Sequence, residues 1–66
     1  MANTNIPQIQ AAITTMTNWI TWAQTQMEAE SGYQITQKYK EFLNAQQRAK
    51  QAAQDLLAIY AQKGIV

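Results

Sequence analysis

Cysteine and histidine are both absent from these 66 residues. Their absence removes disulfides, the usual structural zinc sites, the commonest general base and the best nucleophile at neutral pH. Glycine occurs twice and proline once, so no glycine-rich loop is available to cradle a phosphate. The carboxylates are Glu28, Glu30, Glu41 and Asp55. Glu28 and Glu30, two positions apart, diverge on a helix. Glu41 and Asp55 lie about 21 Å apart along a helix that rises 1.5 Å per residue. No pair is spaced for acid–base work or for a hard metal ion. The expectation is a protein that is not an enzyme and binds no cofactor or metal.

Charge is scarce, and scarcest at the start: no charged side chain precedes Glu28. The net charge of +1 gives no electrostatic pull on nucleic acid or an acidic membrane. Lys38, Lys40, Arg48 and Lys50 point in several directions around a helix with Glu41 among them, whereas a groove-reading helix keeps its contacts on one face. Nucleic acid is therefore not the expected partner. The longest apolar run, Leu56-Leu57-Ala58-Ile59-Tyr60-Ala61, is far short of the roughly 20 residues of a transmembrane helix. The first residues, Met1-Ala2-Asn3-Thr4-Asn5, lack the charge and apolar stretch of a secretory signal. A cytoplasmic protein or a component of an assembled particle is expected.

Size argues for partners. Below roughly 70–80 residues a single core rarely supplies more than about 3–5 kcal/mol, so small folds recruit disulfides, metals or other subunits. With the first two removed, association remains. The first half carries Thr, Gln and Asn where a solvated helix usually carries Lys and Glu, and such a coat is less costly to bury. Compositional drift is the plainer explanation.

The pattern that is present is helical. Ile6, Ile9, Ile13, Met16, Ile20, Ala23 and Met27 are spaced alternately by three and four, the stripe of a helix packed lengthwise on another. Residues 1–6 read as an extended arm, with Pro7 in the first helical turn. Ser31-Gly32 breaks the pattern: glycine favours the position past a helix end, and Ser31 with Gln34 has the form of a capping box. A single helix running through Gly32 is the rival, since one glycine costs only about 1 kcal/mol. The predicted fold is all-α and one domain over 1–66: an antiparallel hairpin with helices at about 7–30 and 34–63, a turn at about 31–33, and helix-to-helix association with other chains.

The second helix offers two stripes. Phe42, Ala45, Ala49, Ala52, Leu56 and Ile59 form the first, and antiparallel pairing sets Met16 against Ala49 and Ile13 against Ala52, large against small. This stripe is assigned to the hairpin seam. The second, Tyr39, Leu43, Gln46, Lys50, Ala53, Leu57 and Tyr60, is then left for a partner. Trp19 and Trp22 lie off the first-helix stripe, and large aromatics outside a seam are typical anchors of protein contacts; Trp19 and Tyr60 read equally well as flanks of the seam. Ile65 and Val66 are a candidate docking tail, or Ile65 closes a contact over a glycine cap. The expected interface is thus Trp19, Trp22, Tyr39, Leu43, Leu57, Tyr60, Ile65 and Val66, meeting copies of the chain or other subunits.

In length, hairpin form and Gln/Ala-rich composition the chain is similar to needle subunits of type III secretion systems and to the small helical co-chaperones that hold them. The likeness is one of architecture: no motif matches residue by residue, and Glu30-Ser31-Gly32-Tyr33 replaces the proline-containing turn common in needle subunits. Small helical structural proteins of bacteriophage particles share these traits. The expected function is a non-catalytic structural subunit of a virion or secretion-type assembly, the alternative a soluble adaptor, co-chaperone or inhibitor with one partner.

Overall fold

A computed structural model describes residues 3–65. Helix α1 spans Asn5–Ala29 and α2 spans Tyr33–Gln62, packed against each other, and the described residues contain no strand. The expected hairpin is therefore what forms, with the reversal at residues 30–32. No helix among the described residues is long and apolar enough to cross a membrane.

Helix α1 begins earlier than the sequence implied. The expected arm reached Ile6, but the helix starts at Asn5, with Thr4 at the N-cap and no side-chain cap from it. Asn3, one residue earlier, folds onto this first turn, its Oδ1 accepting from the Asn5 N–H at 2.8 Å and its carbonyl from the Ile6 N–H at 3.2 Å. Pro7 then sits in the first turn, where its missing N–H would have had no intrahelical partner. Met1 and Ala2, the rest of the expected arm, lie outside the described residues. Along α1 the hydroxyls of Thr14, Thr17, Thr21 and Thr25 each donate to the carbonyl four residues back, at 2.8–3.2 Å. Threonine and isoleucine are middling helix formers, so α1 depends on its packed face more than on propensity.

The turn uses extended backbone. Glu30 (φ −95°, ψ 146°) and Gly32 (φ −79°, ψ 132°) flank Ser31. Gly32, not Ser31, occupies the N-cap of α2, with no side-chain cap, so the expected Ser31–Gln34 capping box does not form. The Gly32 carbonyl accepts from both the Thr36 N–H (2.9 Å) and the Thr36 hydroxyl (2.8 Å). At the other end of α2, Gly64 takes φ +69°, and bonds from Gly64 N–H to Ala61 O (3.1 Å) and from Ile65 N–H to Tyr60 O (2.9 Å) close a Schellman motif.

The seam is the main correction. On α1 the expected stripe faces inward: Ala23 is fully buried, and Ile6, Ile9, Ile13, Met16, Ile20 and Met27 are half-buried. On α2 the two stripes exchange roles. Leu43 is buried, and Tyr39, Gln46, Lys50, Ala53, Leu57 and Tyr60 are half-buried beside it, while Ala45, Ala49, Ala52, Leu56 and Ile59 are exposed. Of the expected seam stripe only Phe42 stays half-buried, against Trp19 and Trp22. Three successive alanine layers give one partner helix little area to cover. Two tyrosines, two leucines and the aliphatic stems of Gln46 and Lys50 give much more, with the polar tips free to reach water.

The result is a rod of 50 × 14 × 11 Å with a radius of gyration of 15.2 Å, against about 11 Å for a globule of this length. Its accessible surface is 4988 Å², above the roughly 4250 Å² expected of a folded monomer of this mass. Ala23 and Leu43 are the only buried side chains among the described residues. The hairpin has a seam but hardly a core.

Candidate protein-protein interface

Rotating the seam leaves one apolar face uncovered. On α2 it runs through Ile35, Phe42, Ala45, Ala49, Ala52, Leu56 and Ile59, at the same alternation of three and four that marks a helix-packing stripe. Ile35, Leu56 and Ile59 are 49%, 39% and 45% exposed, far too open for residues whose burial is worth about 1.5–3 kcal/mol each. Lys38 is the one stripe position that is charged; it turns to Glu41 in an exposed ion pair of 3.0 Å, of small energetic weight.

Helix α1 contributes two indoles to the same face. Trp19 and Trp22 are 47% and 44% exposed and meet edge to face at 5.4 Å. Both reach Phe42 across the hairpin at 6.2 Å, and Trp22 also reaches Tyr39 at 5.8 Å. Each ring therefore has one side held by the hairpin and one side in water. Beside this cluster an open groove of about 910 Å³ is bounded by the two tryptophans, Ile35, Tyr39 and Phe42.

The remaining expected interface residues divide. Leu43 is 7% exposed and belongs to the seam; Tyr39, Leu57 and Tyr60 line the seam half-buried, so the premise that the hairpin leaves these four in water is overturned. Ile65 is half-buried at the Schellman motif, the arrangement in which an apolar residue closes over the last turn. Val66 lies outside the described residues. Phe42, Leu56, Ile59 and Ile35 are what the reading of the sequence missed. The first three had been recognised as a stripe and assigned to the hairpin seam. Phe42 does remain half-buried against Trp19 and Trp22 of α1, whereas Leu56 and Ile59 are exposed. Ile35 extends that stripe one turn upstream of Lys38 and was open to detection by the same spacing.

The polar groups form no concentrated site. Asp55 accepts from Gln51 Nε2 at 2.9 Å, Glu41 pairs with Lys38, and Glu28 and Glu30 are exposed. Among the described residues no three acidic side chains gather as metal ligands would. What the geometry defines is a helical hairpin with one continuous aromatic and aliphatic face. Compared with protein-family models, with curated proteins and with solved structures, the chain matches none.

Proposed function

We propose that this chain is a non-catalytic structural subunit of a larger protein assembly, of virion or secretion type, and that it packs through helix-to-helix contacts. The observation that carries this reading is the uncovered face of Trp19, Trp22, Ile35, Leu56 and Ile59, edged by the half-buried Phe42, on a hairpin with two buried side chains among its described residues. A helix hydrophobic on two stripes has one more face than its hairpin partner covers. Burying the second against neighbouring helices supplies the core that the single chain lacks. Copy counting on native material tests it: many copies in a large particle support the reading, and one copy in a small complex contradicts it.

The groove beside Trp22 favours a second reading. An open, aromatic-walled groove of about 910 Å³ also suits an adaptor, co-chaperone or inhibitor that seats an apolar helix of a single partner. The same copy count separates the two, because this reading requires a fixed one-to-one stoichiometry.

A further inference from the structure

The outer stripe of α2 is laid out to pair with itself, and we propose that its occupant is α2 of a second copy of this chain, antiparallel, with Arg48 of each copy opposite Asp55 of the other. This rests on the structural-subunit reading and specifies its first contact.

The stripe has large side chains at both ends and small ones between: Phe42, then Ala45, Ala49 and Ala52, then Leu56 and Ile59. A two-fold contact must be self-complementary, and this order reads nearly the same in both directions. Antiparallel packing sets Ala49 opposite Ala52 of the second copy, Ala45 opposite Leu56, and Phe42 opposite Ile59. The alanine layers allow axes to approach to about 8 Å, while the ends clasp.

Charge selects this register. Glu41, Arg48 and Asp55 recur at every seventh residue along one edge of the stripe, which helix geometry places on the side of α2 away from α1. In an antiparallel pair these edges of the two copies run side by side. In the register above, Arg48 meets Asp55 twice and Glu41 meets the neutral Gln62, while Lys38 falls opposite Lys63 only at the outer ends of the pair, where both side chains are exposed to water. A slip of one heptad in one direction sets Arg48 against Arg48 and Glu41 against Asp55; a slip in the other sets Asp55 against Asp55. Both slips juxtapose like charges, which disfavours them. All three side chains are exposed, and among the described residues Arg48 has no ion pair and Asp55 holds only the Gln51 amide. Both are free to pair outward.

Size and shape agree. The five large apolar side chains exposed on this face, Trp19, Trp22, Ile35, Leu56 and Ile59, present roughly 450 Å² before the alanines are added, and the alanines and flanking stems bring it toward the ~800 Å² per partner of a standard interface. The outer stripe and the seam of α2 point about 100° apart around the helix. A second copy on the stripe therefore forms a four-helix arrangement that turns Trp19 and Trp22 of each chain toward the other.

The test is charge exchange followed by sedimentation equilibrium on the full chain. The wild type should be dimeric, or a higher oligomer built from such pairs. Arg48→Asp alone and Asp55→Arg alone should each weaken association about tenfold, and an equimolar mixture of the two should recover it, because every opposed pair is again of opposite sign. A monomeric wild type overturns the pairing. So does tightening by Asp55→Arg alone, which is the signature of the slipped register with Glu41. Oligomers insensitive to both exchanges yet dissociated by Leu56→Asp overturn the self-pairing while leaving the stripe as an interface. Copy counting on native material then judges the structural-subunit reading separately.

Discussion

The indole of Trp22 lies 5.8 Å from the ring of Tyr39, tilted by 69°, and the two belong to different helices. With the contacts of Trp19 and Trp22 to Phe42, this contact ties the outer face to the inner seam. Tyr39 is a seam residue and Trp22 a surface one, so the cluster both closes the hairpin and displays its apolar edge.

Truncating the cluster should therefore have two effects of different size. Aromatic pairs contribute about 0.5–1.5 kcal/mol each beyond area burial, and Trp22→Ala removes two pairs that span the helices. A loss of about 1–2 kcal/mol, or on the order of 5–15 °C in thermal midpoint for so short a chain, is expected by circular dichroism. Association should suffer more, since the exposed half of the ring is lost as well. Sedimentation of the same sample checks this.

The reversal and the two helices were legible because their signals are local: an alternation of three and four on each side of Ser31-Gly32. The choice between two stripes on α2 was not local. Phe42 to Ile59 and Tyr39 to Tyr60 have the same period, and large-to-small matching with Ile13 and Met16 favoured the alanine stripe. The competing quantity was the total area one helix covers, which favours Tyr39, Leu43, Leu57 and Tyr60 and treats Lys50 as an aliphatic stem. That comparison requires both helices in place. The start of α1 was hidden similarly, because it depends on Asn3 folding back onto Asn5 and Ile6.

The cap of α2 is open to improvement. Gly32 has β-region backbone (φ −79°, ψ 132°) suited to any N-cap residue, and a Cβ there meets only the Ile35 side chain, at 3.6 Å (Cδ1) and 3.9 Å (Cγ1). Gly32→Asp should add a side-chain acceptor and a negative charge at the positive end of the helix. A gain of about 0.5 kcal/mol is expected, read as a thermal midpoint higher by roughly 2–4 °C. An unchanged or lower midpoint would show that the turn needs glycine for another reason.

Gly64 is the opposite case. Its φ of +69° is left-handed, although a Cβ would meet nothing within 4 Å, so the cost of Gly64→Ala is backbone alone, about 1 kcal/mol. The loss should be confined to the last turn. Amide exchange at Ile65, whose N–H reaches Tyr60 O at 2.9 Å, should accelerate several-fold, with little change in the middle of α2.

The neighbours Leu56 and Leu57 offer the most direct test of the central claim, that the outer stripe of α2 mediates association and the inner stripe closes the hairpin. Leu56 is 39% exposed on the outer stripe, and Leu57 is half-buried in the seam. Leu57→Asp places an unpaired charge between the helices, a penalty of several kcal/mol against a total of about 5. Leu56→Asp places the same charge on the uncovered face. Circular dichroism and sedimentation at one concentration should show Leu57→Asp losing helix, and Leu56→Asp losing association while keeping most of its helix. If Leu56→Asp unfolds the chain and Leu57→Asp spares it, or if Leu56→Asp leaves the sedimenting species unchanged, the assignment of the two faces is wrong.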